Sequence, residues 1–560
     1  MRSLLTALAT LGAVSLVLAF APATGTAGPL WGVSVAANVV ASSPTTGGGY
    51  PVPAGSRVPV AGTCRQGSFD ANHSESWLAV KPGTEDLVGS AKYFFDQFST
   101  FYMFYLGAIQ IPNGTPTANN QIQGYDCIST GTQDMPPSWT DTTDPNLDFD
   151  THGRVYQTML PFNSFFDKTK LHPDGEIDLS YSDDLGRTWV KGNGGEPLEP
   201  TNNASAKQAG HVEDKQWVAV NHISGNRFQD HVYAAWAVFN GSSSGGGIKV
   251  RMAVSRDRGV AFDKPVTITP PSEVGAGATF VYPEIDAAGN VYVAVVSFPP
   301  NGTSSAIYVA RSTDDAQTFE PFVSVATVTI PPGEVYPNTR FRSGIAENFA
   351  ASPTYAGHLY LTYEDWDPVA GQSDVKFTQS TDGGLNWTPP TVVNDAPNSA
   401  TTDQFQPSIA AGPRGAVAVA FYDRRLACPS DPSVLPADVG RTNFCIDTSL
   451  QAFKDSGMAA GALPVGGNVR ISQYTWDPEQ PGQHLGGLSQ YPCAGARDPC
   501  PTGSGFIGDY FGLAISGGNI YALMVSTHYP STVTADEGGP IYYQQQVLAT
   551  VPRTTFGAGY

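Results

Sequence analysis

One eight-residue pattern recurs along the chain, and it restricts the possible folds more than any other feature. It runs Ser182-Asp183-Asp184-Leu185-Gly186-Arg187-Thr188-Trp189 and returns at Ser255–Phe262, Ser312–Phe319 and Ser380–Trp387. An eroded fifth copy stands at Phe453-Lys454-Asp455-Ser456-Gly457, and successive starts are 73, 57, 68 and 73 residues apart. The spacing within each copy is that of a hairpin turn. The aspartate accepts backbone N–H bonds inside the turn, the glycine supplies a positive φ, and the closing aromatic packs back onto the sheet. Self-similarity at such a period signals an architecture of repeated supersecondary units.

A second pattern interleaves with the first: a short apolar strand, a Gly/Asn/Asp turn, then a Val-Tyr-rich strand. It runs from Trp77–Val80 to Leu87-Val88, Pro145–Phe149 to Val155-Tyr156, and Trp217–Val220 to Val232-Tyr233. Further copies run from Pro283–Ile285 to Val291-Tyr292, Ser343–Ile345 to Leu359-Tyr360, Pro407–Ile409 to Val417-Ala418, and Phe511–Leu513 to Ile520-Tyr521. A plain hairpin followed by a box hairpin makes four strands, one propeller blade. The expected fold is therefore all-β: a β-propeller of six or seven four-stranded blades, seven favoured by the count of hairpins. The propeller should occupy residues 71–552, with a loop insertion at 428–508 carrying four cysteines, and a closing strand from Ile541 to Thr550. Residues 28–70, rich in Pro, Gly, Ser and Thr, read as a linker or irregular wrap, and 553–560 as a tail.

Met1-Arg2 and the apolar run Leu4–Phe20 read as a signal peptide, residues 1–27, with small-residue cleavage sites at Ala21-Pro22-Ala23 and Gly25-Thr26-Ala27. An uncleaved anchor is the alternative, but the run is short for a span and Pro22 closes it. An exported chain without a further long apolar segment should be secreted, with no membrane span. Six cysteines, Cys64, Cys127, Cys428, Cys445, Cys493 and Cys500, then suggest disulfides. Pairing of nearest neighbours would staple three loops, although every connectivity is open. Zinc would need ligand spacings that the sequence lacks. The net charge of −20 disfavours nucleic acid as a partner.

The four boxes resemble the BNR/Asp-box propellers of the sialidase (neuraminidase) superfamily, over about residues 70 to 552. The resemblance implies a glycoside hydrolase acting on terminal sugars of glycans, acidic sugars among them, through a tyrosine nucleophile with a glutamate partner, an aspartate acid/base and an arginine clamp. The chain departs from the family in two ways: it has no Arg-Ile-Pro, and it has a seventh hairpin where family sialidases have six blades. A non-catalytic propeller binding glycans or proteins at the same face is the alternative, and a structural protein with a plugged channel is a third. No cofactor is implied. Asp144, Asp148 and Asp150 could suggest structural calcium, but no EF-hand loop follows and they read as strand-edge and turn residues.

Propeller geometry places a site even without a motif, because the innermost strands all begin around one mouth of the central channel. The residues entering them are Glu75, Asp144, Asp214-Lys215, Tyr282 with Glu284, Arg342, Gln406 and Asp509-Tyr510. The paired second strands end on the same face, at Lys92, Glu364 and Tyr422-Asp423-Arg424-Arg425 among others. Carboxylates, cations and aromatics around one opening suit glycan chemistry. On these positions the resemblance to sialidases implies Tyr510 as the nucleophile, Glu284 as its partner and Asp214 as the proton donor. Arg342, Arg424 and Arg425, with Asp509 and Lys215, bind the substrate; no metal is assigned, and a monomer is expected.

Overall fold

The computed structural model describes residues 33–42, 72–94, 104–121, 141–162, 176–200, 211–240, 247–268, 278–297, 304–339, 341–343, 347–396, 402–427, 443–478, 506–534 and 540–560. The proposed leader 1–27 and five of the six cysteines lie outside them. Cys445 is fully buried, and no free thiol occurs among the described residues.

Seven antiparallel sheets form the seven blades of a β-propeller. Blades 1 to 6 span residues 73–121, 141–200, 211–267, 278–329, 347–392 and 404–470, and blade 7 spans 512–552. In blade 5 the inner strand is Glu347–Ala351, a few residues beyond the expected Ser343–Ile345. The stretch expected as a loop insertion contains Asp447–Asp455 and Ala462–Arg470, the outer hairpin of blade 6. Blade 7 is assembled from both ends of the chain. Its three C-terminal strands end on Gln545–Pro552, whose open edge is taken by Ala37–Val40 from the stretch expected to be irregular. The pairing runs from Ala37 opposite Thr550 to Val40 opposite Val547. An unpaired third strand would leave a row of open backbone groups, and the early segment covers them.

Second strands are packed between neighbouring blades on both faces, so they read as nearly continuous apolar runs rather than alternating ones. Val291–Ser297 and Ala416–Asp423 are buried at every position. Alanines at Ala416, Ala418 and Ala420 let adjacent sheets approach closely.

The eight-residue repeats join third to fourth strands and share one hydrogen-bond scheme. In the first, Asp184 accepts from the Thr188 N–H and hydroxyl at 2.8 and 2.7 Å, while the Ser182 hydroxyl accepts from Gly186 N–H at 2.9 Å. The indole of Trp189 donates to the Gly186 carbonyl. The third copy has Ala316 at the glycine position, held at φ 57°. On the same lower face, phenols on second strands donate to carboxylates, several of them across a blade boundary. Tyr233 of blade 3 reaches Asp315 of blade 4 at 2.7 Å, and Tyr360 of blade 5 reaches Asp455 of blade 6 at 2.6 Å. Tyr521 of blade 7 reaches Glu85 of blade 1 at 2.6 Å, tying the ring shut.

Candidate functional site

A repeated distortion marks the upper mouth. Glu75, Lys215, Phe280 and Gln406 each sit where the inner strand of their blade slips register. With Asp144, which separates the two short inner strands of blade 2, they have φ of 45, 51, 51, 43 and 62°. Left-handed backbone at a residue other than glycine costs roughly 1–3 kcal/mol, and bulges of this kind re-aim side chains. Five such residues at one level of the ring turn their side chains into the channel. Gly508 holds the corresponding place in blade 7, at φ 101°, where a Cβ would meet the Glu75 backbone at 2.7 Å. Only glycine allows that approach.

The side chains so aimed form one charged network. Lys92 pairs with Glu75 and, at 3.1 Å, with Asp144. Lys215 contacts Asp509 at 3.0 Å and Asp144 at 3.7 Å. Arg342 grips Asp509 through two nitrogens, at 2.9 and 2.5 Å. Blades 3 and 7 stand on opposite sides of the ring, so the Lys215–Asp509 contact can only be made across the axis. Glu364 continues the network toward blade 6, accepting from the Tyr336 hydroxyl at 2.6 Å and Gln406 N–H at 2.7 Å. Phe506 lies under Lys92 and Arg342, and Phe280 under Lys215, with cation-to-ring distances of 4.8–5.1 Å.

Beneath this layer the channel is filled. Trp77, Trp217, Tyr282 and Tyr510 meet edge to face, with centroids 4.6 Å apart for Trp77–Trp217, 4.7 Å for Trp217–Tyr282 and 5.1 Å for Trp217–Tyr510. The site is therefore a well with an aromatic floor, not a pore. Each of the four rings follows the positive-φ residue of its blade by two positions, a regularity that aligning the hairpins would have exposed.

The electrostatics split the carboxyls. Burial pushes Asp144 up, but Lys215 and Lys92 outweigh it and hold it well below the ordinary carboxylate range. Asp509 is treated likewise, by Arg342 and then the lysines. Asp214 is pushed up to about 7 by burial and by the charge of Asp144, whose carboxyl it faces within hydrogen-bond reach. The buried Oδ2 of Asp144 has no hydrogen-bond partner and lies 3.7 Å from Lys215 Nζ. Burial also raises Glu75, and Glu347, whose two buried oxygens lack partners in the inner strand of blade 5.

Of the residues singled out from sequence, Asp214, Lys215, Arg342, Asp509 and Tyr510 converge on this well. Tyr510 lies in its floor, the hydroxyl donating to the Pro145 carbonyl at 3.2 Å, and burial followed by the nearby carboxylates Glu75 and Asp144 pushes its phenol well up. Glu284 lies four residues below the Phe280 bulge, about 13 Å along an extended strand. There it is pushed up to about 8 by burial and Asp148. Asp148 in turn stands 3.6 Å from His222. Arg424 is fully buried and donates to the Pro337 carbonyl at 2.9 Å. Arg425 is held by Asp423, Asp395 and Asn468 at 2.6–3.0 Å. Asp150, considered above for calcium, caps its turn by accepting from His152 and Arg154 N–H.

The fold and site define a seven-bladed β-propeller with an axial, charge-lined well. No protein-family profile matches the chain, and no curated protein does. Among solved structures, it is similar to a protein of unknown function from Dyadobacter fermentans, at 13% identity, covering 63% of this chain and 91% of that one, with a TM-score of 0.42. It is also similar to the Hadza microbial sialidase Hz136, at 12% identity over 85% and 74% of the two chains, TM-score 0.38. The NanB sialidase of Streptococcus pneumoniae is similar at 10% identity over 84% and 83%, TM-score 0.36. No helix among the described residues is long and apolar enough to cross a membrane.

Proposed function

We propose that the well is the active site of a glycoside hydrolase acting on terminal sugars, with Asp214 as the proton donor. The observation that carries this reading is the pair Asp144–Asp214. Asp144, kept ionised by lysines, helps Asp214 hold its proton toward neutrality, and a carboxylic acid of this kind is the proton donor that acid-assisted cleavage of a glycosidic bond requires. Arg342, Lys215 and Asp509 supply the hydrogen-bonding wall. Five strained backbones at one level support the reading further, since strain of this kind persists where it serves a site. Tyr510 serves as the floor of the site, because its hydroxyl is engaged and its phenolate is disfavoured. The reading includes export behind the leader 1–27, checked by N-terminal sequencing of protein recovered from the medium.

The test is release of 4-methylumbelliferone from a panel of glycosides by wild type, Asp214→Asn and Arg342→Ala. Turnover by wild type and its loss, by about 100-fold or more, in Asp214→Asn is expected for a missing general acid. No turnover of any substrate by wild type would leave the propeller as a glycan-binding module.

A further inference from the structure

We propose that the well selects an uncharged sugar and turns away a carboxylate-bearing one, because Asp509 already occupies the guanidinium fork that would hold the carboxylate. The inference rests on the well being a glycoside site and adds the class of sugar.

The three cations of the well, Lys92, Lys215 and Arg342, are all engaged. Lys92 is held between Glu75 and Asp144, Lys215 between Asp509 and Asp144, and Arg342 bidentately by Asp509. A guanidinium recognises a carboxylate best through such a two-pronged contact. A sugar carboxylate arriving at Arg342 must therefore either displace Asp509 or lie against it. Displacement would leave the Asp509 carboxylate, which is only about 10% exposed, with its bond to Lys215 but without its guanidinium partner. Leaving one charge of a buried pair uncompensated is strongly unfavourable, as is placing two like charges side by side. The wider field acts in the same direction, since Glu364 borders the network and the chain carries a net charge of −20.

An uncharged sugar meets none of these costs. Its hydroxyls both donate and accept, so they can bridge Asp509 and Asp214 without separating an ion pair. Phe280, partly buried beside Lys215, offers an apolar face for a sugar ring.

The experiment is a panel of 4-methylumbelliferyl glycosides, with galactose, glucose, fucose and arabinose in one arm and N-acetylneuraminic and glucuronic acids in the other. Wild type should favour the best uncharged glycoside over the best acidic one by about 100-fold or more in kcat/KM, as a like-charge clash requires. Equal or faster turnover of an acidic glycoside overturns the inference while leaving hydrolysis intact. If neither arm turns over, the hydrolase reading fails, and saturation-transfer NMR with the methyl glycosides of the same sugars decides the class. Contacts to uncharged sugars alone sustain the inference; contacts to acidic sugars, or to none, overturn it. Asp509→Asn frees the fork of Arg342 and should narrow the discrimination by about tenfold or more in the assay that responds. A folded Asp509→Asn that discriminates as wild type does would remove Asp509 from the explanation. The wild-type panel decides the sugar class whether or not this variant folds.

Discussion

At the scale of single residues, Asp214 links chemistry to stability. Its neighbours are Asp144, which opposes its ionisation, and Lys215, which favours it. Turnover that depends on the protonated form should hold below pH 7 and decline as pH rises through about 7. Stability has the same sign. The folded chain retains a proton on Asp214 that the unfolded chain loses near its ordinary value of 3.8, so this contribution falls as pH climbs from about 4 to about 7. Asp214→Asn removes the titration and keeps a donor facing Asp144. The variant should be inactive yet melt higher than wild type at pH 8, with the gap closing at pH 4, as thermal unfolding at the two pH values would show. A second residue-scale test concerns the tie between blades 5 and 6. Tyr360→Phe takes one donor from buried Asp455, which keeps its bond to His358 at 2.7 Å. A loss of about 1.5–3 kcal/mol in urea unfolding is expected for a bond to a charged acceptor.

At the scale of elements, the turns were readable and the mouth only partly so. The repeats announce themselves because each turn needs a hydroxyl, a carboxylate and a left-handed pair at fixed offsets, and few residue types meet that need. Gly384, at φ 84° with Leu359 Cδ1 3.3 Å from any added Cβ, shows how strict the requirement is. Gly384→Ala should cost about 1–2 kcal/mol, measured by chemical denaturation, while turnover stays as in wild type. The charged mouth was located because strand starts converge by topology. What sequence could not supply was how far the charges satisfy one another. Arg424 and Arg425 look in sequence like Arg342, cations beside an inner or second strand, yet they hold Pro337 and Asp395. The pairing of Lys215 with Asp509 joins positions 294 residues apart across the axis, and no local pattern encodes that. The strand at Ala37–Val40 escaped for a similar reason. Four residues without alternation or turn signals become a strand only when an open edge waits for them.

At the scale of the whole molecule, the ring is closed by that strand and by Tyr521–Glu85. Removing residues 28–42 should reopen the edge of Gln545–Pro552. A melting temperature lower by about 5 °C or more and concentration-dependent association on heating are expected, by calorimetry and light scattering. An unchanged melting temperature would show that the closing strand contributes little. The arrangement also has a mechanical side. Because Ala37 faces Thr550 in antiparallel register, the incoming and outgoing ends of the chain lie at the same end of the seam. The outgoing end is moored separately, by the Tyr560 hydroxyl on the Val417 carbonyl at 2.7 Å and by Arg553 on Ser516 and Pro413. A load applied between the two ends therefore falls on the early strand and opens the seam from Ala37 inward like a zipper, rung by rung. A ring of seven packed blades would thus yield to traction at one peelable joint.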